Sequence, residues 1–272
     1  MKPLVLTLRA RPEQRLDLSP IVPHLLAGKS AADIAALAVN TTRQPLSVGD
    51  VFRVRMGDPR QIRIEGGCDR LDLIGHAMRD GEILVEGDAG CQAGRLMQGG
   101  RLVISGHAGP WAASGMKGGY LEIGADAGER LGGPLAGEMA GMRGGVVVVR
   151  GDAGARAGDR MRRGTIVIEG RAGAYAGSRM IAGSLIVRGA AGALPGYLMR
   201  RGTIVLGAGS AEVPPTFLDC GLHELVAMRL MARFVEPLSK PAAAVFRGPL
   251  RRLAGDMAVL GKGEILVAEK GG

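Results

Sequence analysis

The sequence predicts an all-β core, a right-handed parallel β-helix of about seven 19-residue coils, with an α/β cap before it and a helix plus strand after it. Three observations carry this expectation. Met78, Met97, Met116, Met142, Met161, Met180 and Met199 stand 19, 19, 26, 19, 19 and 19 residues apart, one register broken once by seven extra residues. Glycines keep the same step in two rows, Gly81 to Gly202 three residues after each methionine and Gly90 to Gly192 farther along. Positions five and seven after every methionine are aliphatic, from Ile83 and Val85 to Ile204 and Leu206. A spacing of two places such a pair on one face of a strand.

A unit this short cannot bury its own apolar face, so successive units must stack, with strands about 4.8 Å apart. The aliphatic pairs then fill the interior, and the methionine row is a flexible core ladder. Glycines fall where the chain turns and needs positive φ or a close backbone approach. Right-handedness follows from the preference of parallel crossovers, and 19 is not a multiple of the six-residue unit that left-handed helices use. The extra residues lie within ERLGGPLAGEMAG, Glu129 to Gly141, and predict a loop pushed out from one corner.

Residues 1–57 break the repeat and read as the cap, residues 58–208 as the β-helix, and residues 209–272 as the C-terminal extension. The cap opens with the strand LVLTL, continues with a helix start at Ser19 and Pro20 and a helix from Ser30 with Asp33 as capping-box partner, and ends with VGDVFRV. Open solenoid ends expose core and unpaired backbone, which makes capping the simplest role for this segment. After Pro214 and Pro215, the stretch Gly221 to Phe234 carries Leu222, Leu225, Val226, Arg229 and Leu230 at helical spacing. The tail GKGEILVAE nearly copies GEILVEG at Gly81 to Gly87 and predicts a returning strand.

Two outward rows stand out. Six after each methionine lie Leu84, Val103, Glu122, Val148, Val167, Ile186 and Val205, an apolar stripe of a kind that soluble monomers rarely expose. Two covers fit it: the chain's own helical stretch after Gly221, or another protein chain docking on Leu84, Val103, Val148, Val167, Ile186 and Val205. The position one after each methionine reads Arg79, Gln98, Lys117, Arg143, Arg162, Ile181 and Arg200, so five basic residues climb one edge, with Arg163 and Arg201 adjacent. Like charges about 5 Å apart in water repel by roughly 0.8 kcal/mol. Such a row either faces an anion that it guides or is an edge neutralised by surface carboxylates.

The net charge of +9 favours an anionic partner. With Trp111, three Tyr and four Phe, there is little to stack bases on, so no nucleic-acid partner is expected. His24, His76, His107 and His223 never reach metal-ligand spacing, no phosphate-loop motif occurs, and the GDAG matches at Gly87 and Gly151 are products of the repeat. No catalytic, cofactor-binding or metal-ligating residue is therefore assigned. Cys68, Cys91 and Cys220 are odd in number and scattered, which reads as reduced thiols in a cytoplasmic protein. No apolar run of about 18 residues reads as a membrane span.

The AG, methionine and glycine rows resemble the β-helical domain of the glutamate synthase large subunit and the C subunit of formylmethanofuran dehydrogenases. The flanks LTLRARPEQRLDLSP, VGDVFRV and GKGEILVA resemble the C subunit along essentially the whole chain. The arginine-rich composition favours its form in the formyltransferase/hydrolase complex of aerobic methylotrophic bacteria over the archaeal redox enzyme or a glutamate-synthase-like assembly protein. The resemblance implies a scaffold subunit with partners A, B and D, in one-carbon metabolism that takes formyl-tetrahydromethanopterin to formate through a methanofuran-type carrier. It implies further that metals and carrier chemistry lie in the partner subunits, with a hydrolase site in A and formyl transfer in D. A glutamate-rich carrier tail is the anion that this family offers to the basic edge.

Overall fold

The protein, a computed structural model, is described over residues 2–41, 43–210 and 212–269. The repeat forms one large, mostly parallel sheet of 13 strands. Seven of them, Glu82–Gly87, Arg101–Ile104, Tyr120–Ile123, Arg143–Val149, Arg163–Ile168, Ser184–Val187 and Arg201–Leu206, lie side by side in sequence order, each parallel to the next. Apart from one shift between Arg143 and Val146, register is kept, so equivalent positions of the strand centres are direct neighbours: Leu84, Val103, Glu122, Val148, Val167, Ile186 and Val205 form one unbroken line. A second parallel ladder of single bridges joins Ala89, Ala108, Ala127, Ala153, Ala172, Ala191 and Ser210.

The interior is filled as the alternation requires. The seven register methionines and both aliphatics of every repeat are fully buried. The two glycine rows answer different demands. Gly164 has φ +98°, and a Cβ there would stand 2.7 Å from the Gly145 carbonyl oxygen. Gly173 has no such dihedral, but its Cβ would come 2.6 Å from the Ala155 nitrogen. Not every turn uses glycine: Trp111, Arg130, Arg156 and Tyr175 take left-handed φ near 60°, each held by its amide to a carbonyl of the next repeat, as Arg156 to Ala174 at 2.8 Å. That bond offsets the cost of about 1–2 kcal/mol for an L-residue in this region.

Both ends of the sheet are extended. Pro3–Leu8 runs parallel to Asp58–Gly67 and antiparallel to Phe52–Arg55. Leu16–Asp17, Ala38–Thr41, Leu46–Ser47 and Leu71–Asp72 make a small four-stranded sheet beside it. The Ala31–Ala35 helix has the expected capping box of Ser30 and Asp33. The helix start expected at Ser19 and Pro20 is instead a turn, and the helix is Pro23–Leu26, with Pro23 pre-setting the first helical position. VGDVFRV divides into a Val48–Val51 helix capped by Ser47 and the Phe52–Arg55 strand.

At the other end, Lys262–Ala268 returns parallel to Arg201–Leu206, as GKGEILVAE suggested. Leu250–Gly255 pairs antiparallel with it and Leu218–His223 follows outside. The helix expected from Gly221 is thereby shortened to Val226–Val235, because residues 221–223 are spent on strand pairing.

Candidate functional site

The apolar line divides in two. Val148, Val167, Ile186 and Val205 are 0% exposed and pack against Met228, Val235, Ala242, Val245, Phe246 and Leu250 of the C-terminal extension. These four are therefore covered by the chain itself, which corrects their reading as a docking surface. Leu84 and Val103 are only half-buried and stay beyond that cover.

Glu122 stands where cover and open stretch meet. It accepts hydrogen bonds from Tyr120 Oη at 2.9 Å, from Arg150 at 2.7 and 3.0 Å and from Arg101 at 3.2 Å. Arg150 also reaches Glu169 at 2.5 Å and the Leu238 carbonyl at 3.0 Å, which ties the edge of the extension to the sheet. Burial opposes ionisation of Glu122, yet the Arg150 and Tyr120 hydrogen bonds and the Arg150 and Arg101 charges together hold its carboxyl below the ordinary range. Burial, followed by the bond to Glu122, pushes the Tyr120 hydroxyl up to about 12.

The covering segment does not turn its Leu222, Leu225, Val226 and Leu230 set to the sheet. Met228 and Val235 face the sheet, whereas Val226, Leu230 and Phe234, at i, i+4 and i+8, are 71%, 60% and 50% exposed. Leu222 and Leu225 are exposed as well. The outward apolar face is thus displaced from the stripe onto its cover, which the spacing of 222, 225, 226 and 230 marked as a face without saying which side it met.

Arg79, Lys117, Arg143, Arg162, Arg163, Arg200 and Arg201 are all exposed, and Arg143 lies opposite Arg163 in the strand ladder. Among the described residues none of the seven has an ion-pair partner, in contrast to Arg95, Arg101, Arg150 and Arg171 on the same repeat. The excursion is anchored at Glu138, which takes Arg95 at 2.7 Å and the Leu135 amide at 3.0 Å, while Ala136, Gly137 and Met139 are exposed. The Arg95 hydrogen bond, more than burial opposes it, holds the Glu138 carboxyl below its ordinary range. No group of three His, Cys, Asp or Glu side chains that could hold a metal occurs among the described residues. No described helix is long and apolar enough to cross a membrane.

These features define a glycine- and methionine-rich parallel repeat protein whose recognisable chemistry lies along outward rows. No family model matches the chain. It is 53% identical over 263 residues, 96% of its length and 98% of the relative's, to the C subunit of the formyltransferase/hydrolase complex Fhc of Methylorubrum extorquens. A chain in the crystal structure of the FhcABCD complex from Methylorubrum extorquens with methylofuran superposes with a TM-score of 0.94. That superposition covers 98% of this chain and all of that one at 44% identity. The C subunit of the tungsten-containing formylmethanofuran dehydrogenase 2 of Methanothermobacter marburgensis is 32% identical over 100 residues, 35% of this chain. The chain belongs to the family of C subunits of the formyltransferase/hydrolase complex.

Proposed function

We propose that this chain is the scaffold subunit of a cytoplasmic formyltransferase/hydrolase complex, assembling with the A, B and D subunits and holding no catalytic residue itself. The observation that carries the reading is its end-to-end likeness to a chain of the FhcABCD complex. The repeats wind as a right-handed parallel β-helix, supported by the second ladder of alanine bridges that runs beside the main sheet. Residues 1–57 and 209–272 cap its two ends, and the sister subunits dock on the Leu84–Val103 stretch and on the outer face of the Val226–Val235 helix.

The seven edge cations, without an ion-pair partner among the described residues, guide an anionic one-carbon carrier of the methanofuran type between the partners' sites, where metals and cofactor chemistry reside. A tagged chain purified from its own cells brings the other subunits down in fixed ratio, and deleting it lowers formyl-transfer activity; recovery alone, with activity intact after deletion, sinks the assignment. Replacing Arg143 and Arg162 with Glu lowers carrier-dependent turnover while the complex still assembles. Unchanged turnover removes the guiding role and leaves the scaffold role standing.

A further inference from the structure

The excursion, two rows of the repeat and the turn before the last strand meet at a groove of about 360 Å³ that neither the stripe nor the covering helix contributes to. Its walls are apolar: Met139 from the excursion, Ile181 and Leu198 from the repeat, Val259 from the turn. Arg160, Arg179 and Arg200 bring a guanidinium each. Arg160 and Arg179 precede their register methionines in left-handed backbone, and Arg200 follows Met199, so three consecutive repeats supply one cation each. The repeats are hydrogen-bonded turn to turn, Arg160 to Ser178 at 2.9 Å and Arg179 to Tyr197 at 2.7 Å. At about 4.8 Å per step the three repeats span about 10 Å along the stack, the length of three residues of extended chain, with Arg200 displaced to the other side of the methionine row.

Among the described residues no carboxylate pairs with these three arginines. Arg160 donates to the Glu138 carbonyl at 3.1 Å, which orients the guanidinium without neutralising it. Met139, beside these cations, is 83% exposed. An apolar ligand alone would leave three cations desolvated and unpaired, and a bare polyanion would leave the four apolar walls unused.

We propose that the groove receives an acidic peptide segment of a partner protein, an extended stretch in which carboxylates flank an apolar side chain. The scaffold reading supplies such a partner, but binding itself is testable on the isolated full-length chain. Two fluorescein-labelled probes serve, Glu-Leu-Glu-Glu-Leu-Glu and hexaglutamate, followed by anisotropy at physiological ionic strength.

The mixed peptide binds at least about tenfold more tightly than hexaglutamate, and Met139→Ser, on an exposed tip, narrows that gap. Arg160→Glu with Arg179→Glu weakens the mixed peptide by about tenfold or more, whereas Arg53→Glu with Arg60→Glu, the same change of charge on exposed positions elsewhere, does not. Equal affinity for the two probes means a site for polyanions in general and overturns the proposal. So do equal losses from the two charge-reversed pairs, or an absence of binding by the unaltered chain.

Discussion

Val167→Asp separates the two covers that the stripe could have had. Val167 is fully buried, opposite Val148 and Ile186 in the ladder, beneath a layer made by Met228, Val235, Val245 and Phe246. Loss of its burial removes about 1.5–3 kcal/mol. An aspartate in that layer lies among apolar side chains, and an unpaired carboxylate there costs several kcal/mol more, or titrates to its neutral form at a smaller cost. The sum, about 5 kcal/mol, is comparable with the whole stability of an ordinary domain.

The expected outcome is a chain whose denaturation midpoint collapses, or whose C-terminal extension detaches and becomes open to protease while the repeats persist. Urea unfolding followed by circular dichroism, with limited proteolysis beside it, distinguishes these outcomes. Val103→Asp is the paired control: half-buried and uncovered, it shifts stability by under about 1 kcal/mol and acts on subunit association. A Val167→Asp chain of ordinary stability that fails to join its partners would refute the reasoning, because it would make Val167 an interface residue.

Three further outcomes follow from the same geometry. Leu230→Ser with Phe234→Ser leaves the stability of the lone chain within about 0.5 kcal/mol but lowers recovery of sister subunits in affinity purification; full recovery would free the helix face of its docking role. Gly164→Ala destabilises by about 1–3 kcal/mol in a urea titration, since the new Cβ meets the Gly145 carbonyl in a left-handed backbone, and a neutral effect would contradict the packing. For Glu122, the carboxyl in the folded chain sits below its ordinary value of 4.5, so its stabilisation is complete above that value and is lost as the pH falls through the folded one. Urea midpoints measured from about pH 6 down to about pH 3 should therefore fall less steeply in Glu122→Gln, and an unchanged acid slope would remove the Arg150–Glu122 network from the stability of the seam.

What could be read from the sequence is whatever the repeat copies. The pairs from Ile83 and Val85 to Ile204 and Leu206 are interior because a period of two leaves no other face, and the glycine rows mark close approaches because no side chain fits there. Left-handed turns at Trp111, Arg156 and Tyr175 were not legible, since their conformation is held by carbonyls of the next repeat and not by residue type. Nor was the orientation of the covering helix. Leu222, Leu225, Val226 and Leu230 form a coherent apolar set, but Met228 and Val235 compete with it, and the strand pairing of Leu218–His223 decides which set meets the sheet. Arg160, Arg179 and Arg200 belong to two rows on either side of the methionine register, and they become one cluster only when the excursion and the turn at Val259 close the groove.

In-register stacking makes each sequence position a line on the surface, so one substitution can divide a line into segments with different uses. Glu122 does this to the apolar line. On one side, Val148 to Val205 are a floor for the chain's own extension; on the other, Leu84 and Val103 remain open. The carboxylate both ends the apolar floor and, through Arg150 and its bond to the Leu238 carbonyl, fastens the border of the cover at that level. An aliphatic residue in its place would join the two apolar segments and remove one of the two carboxylates that hold Arg150. The uncovered surface thus depends on a charged position within the line as much as on the apolar positions beside it.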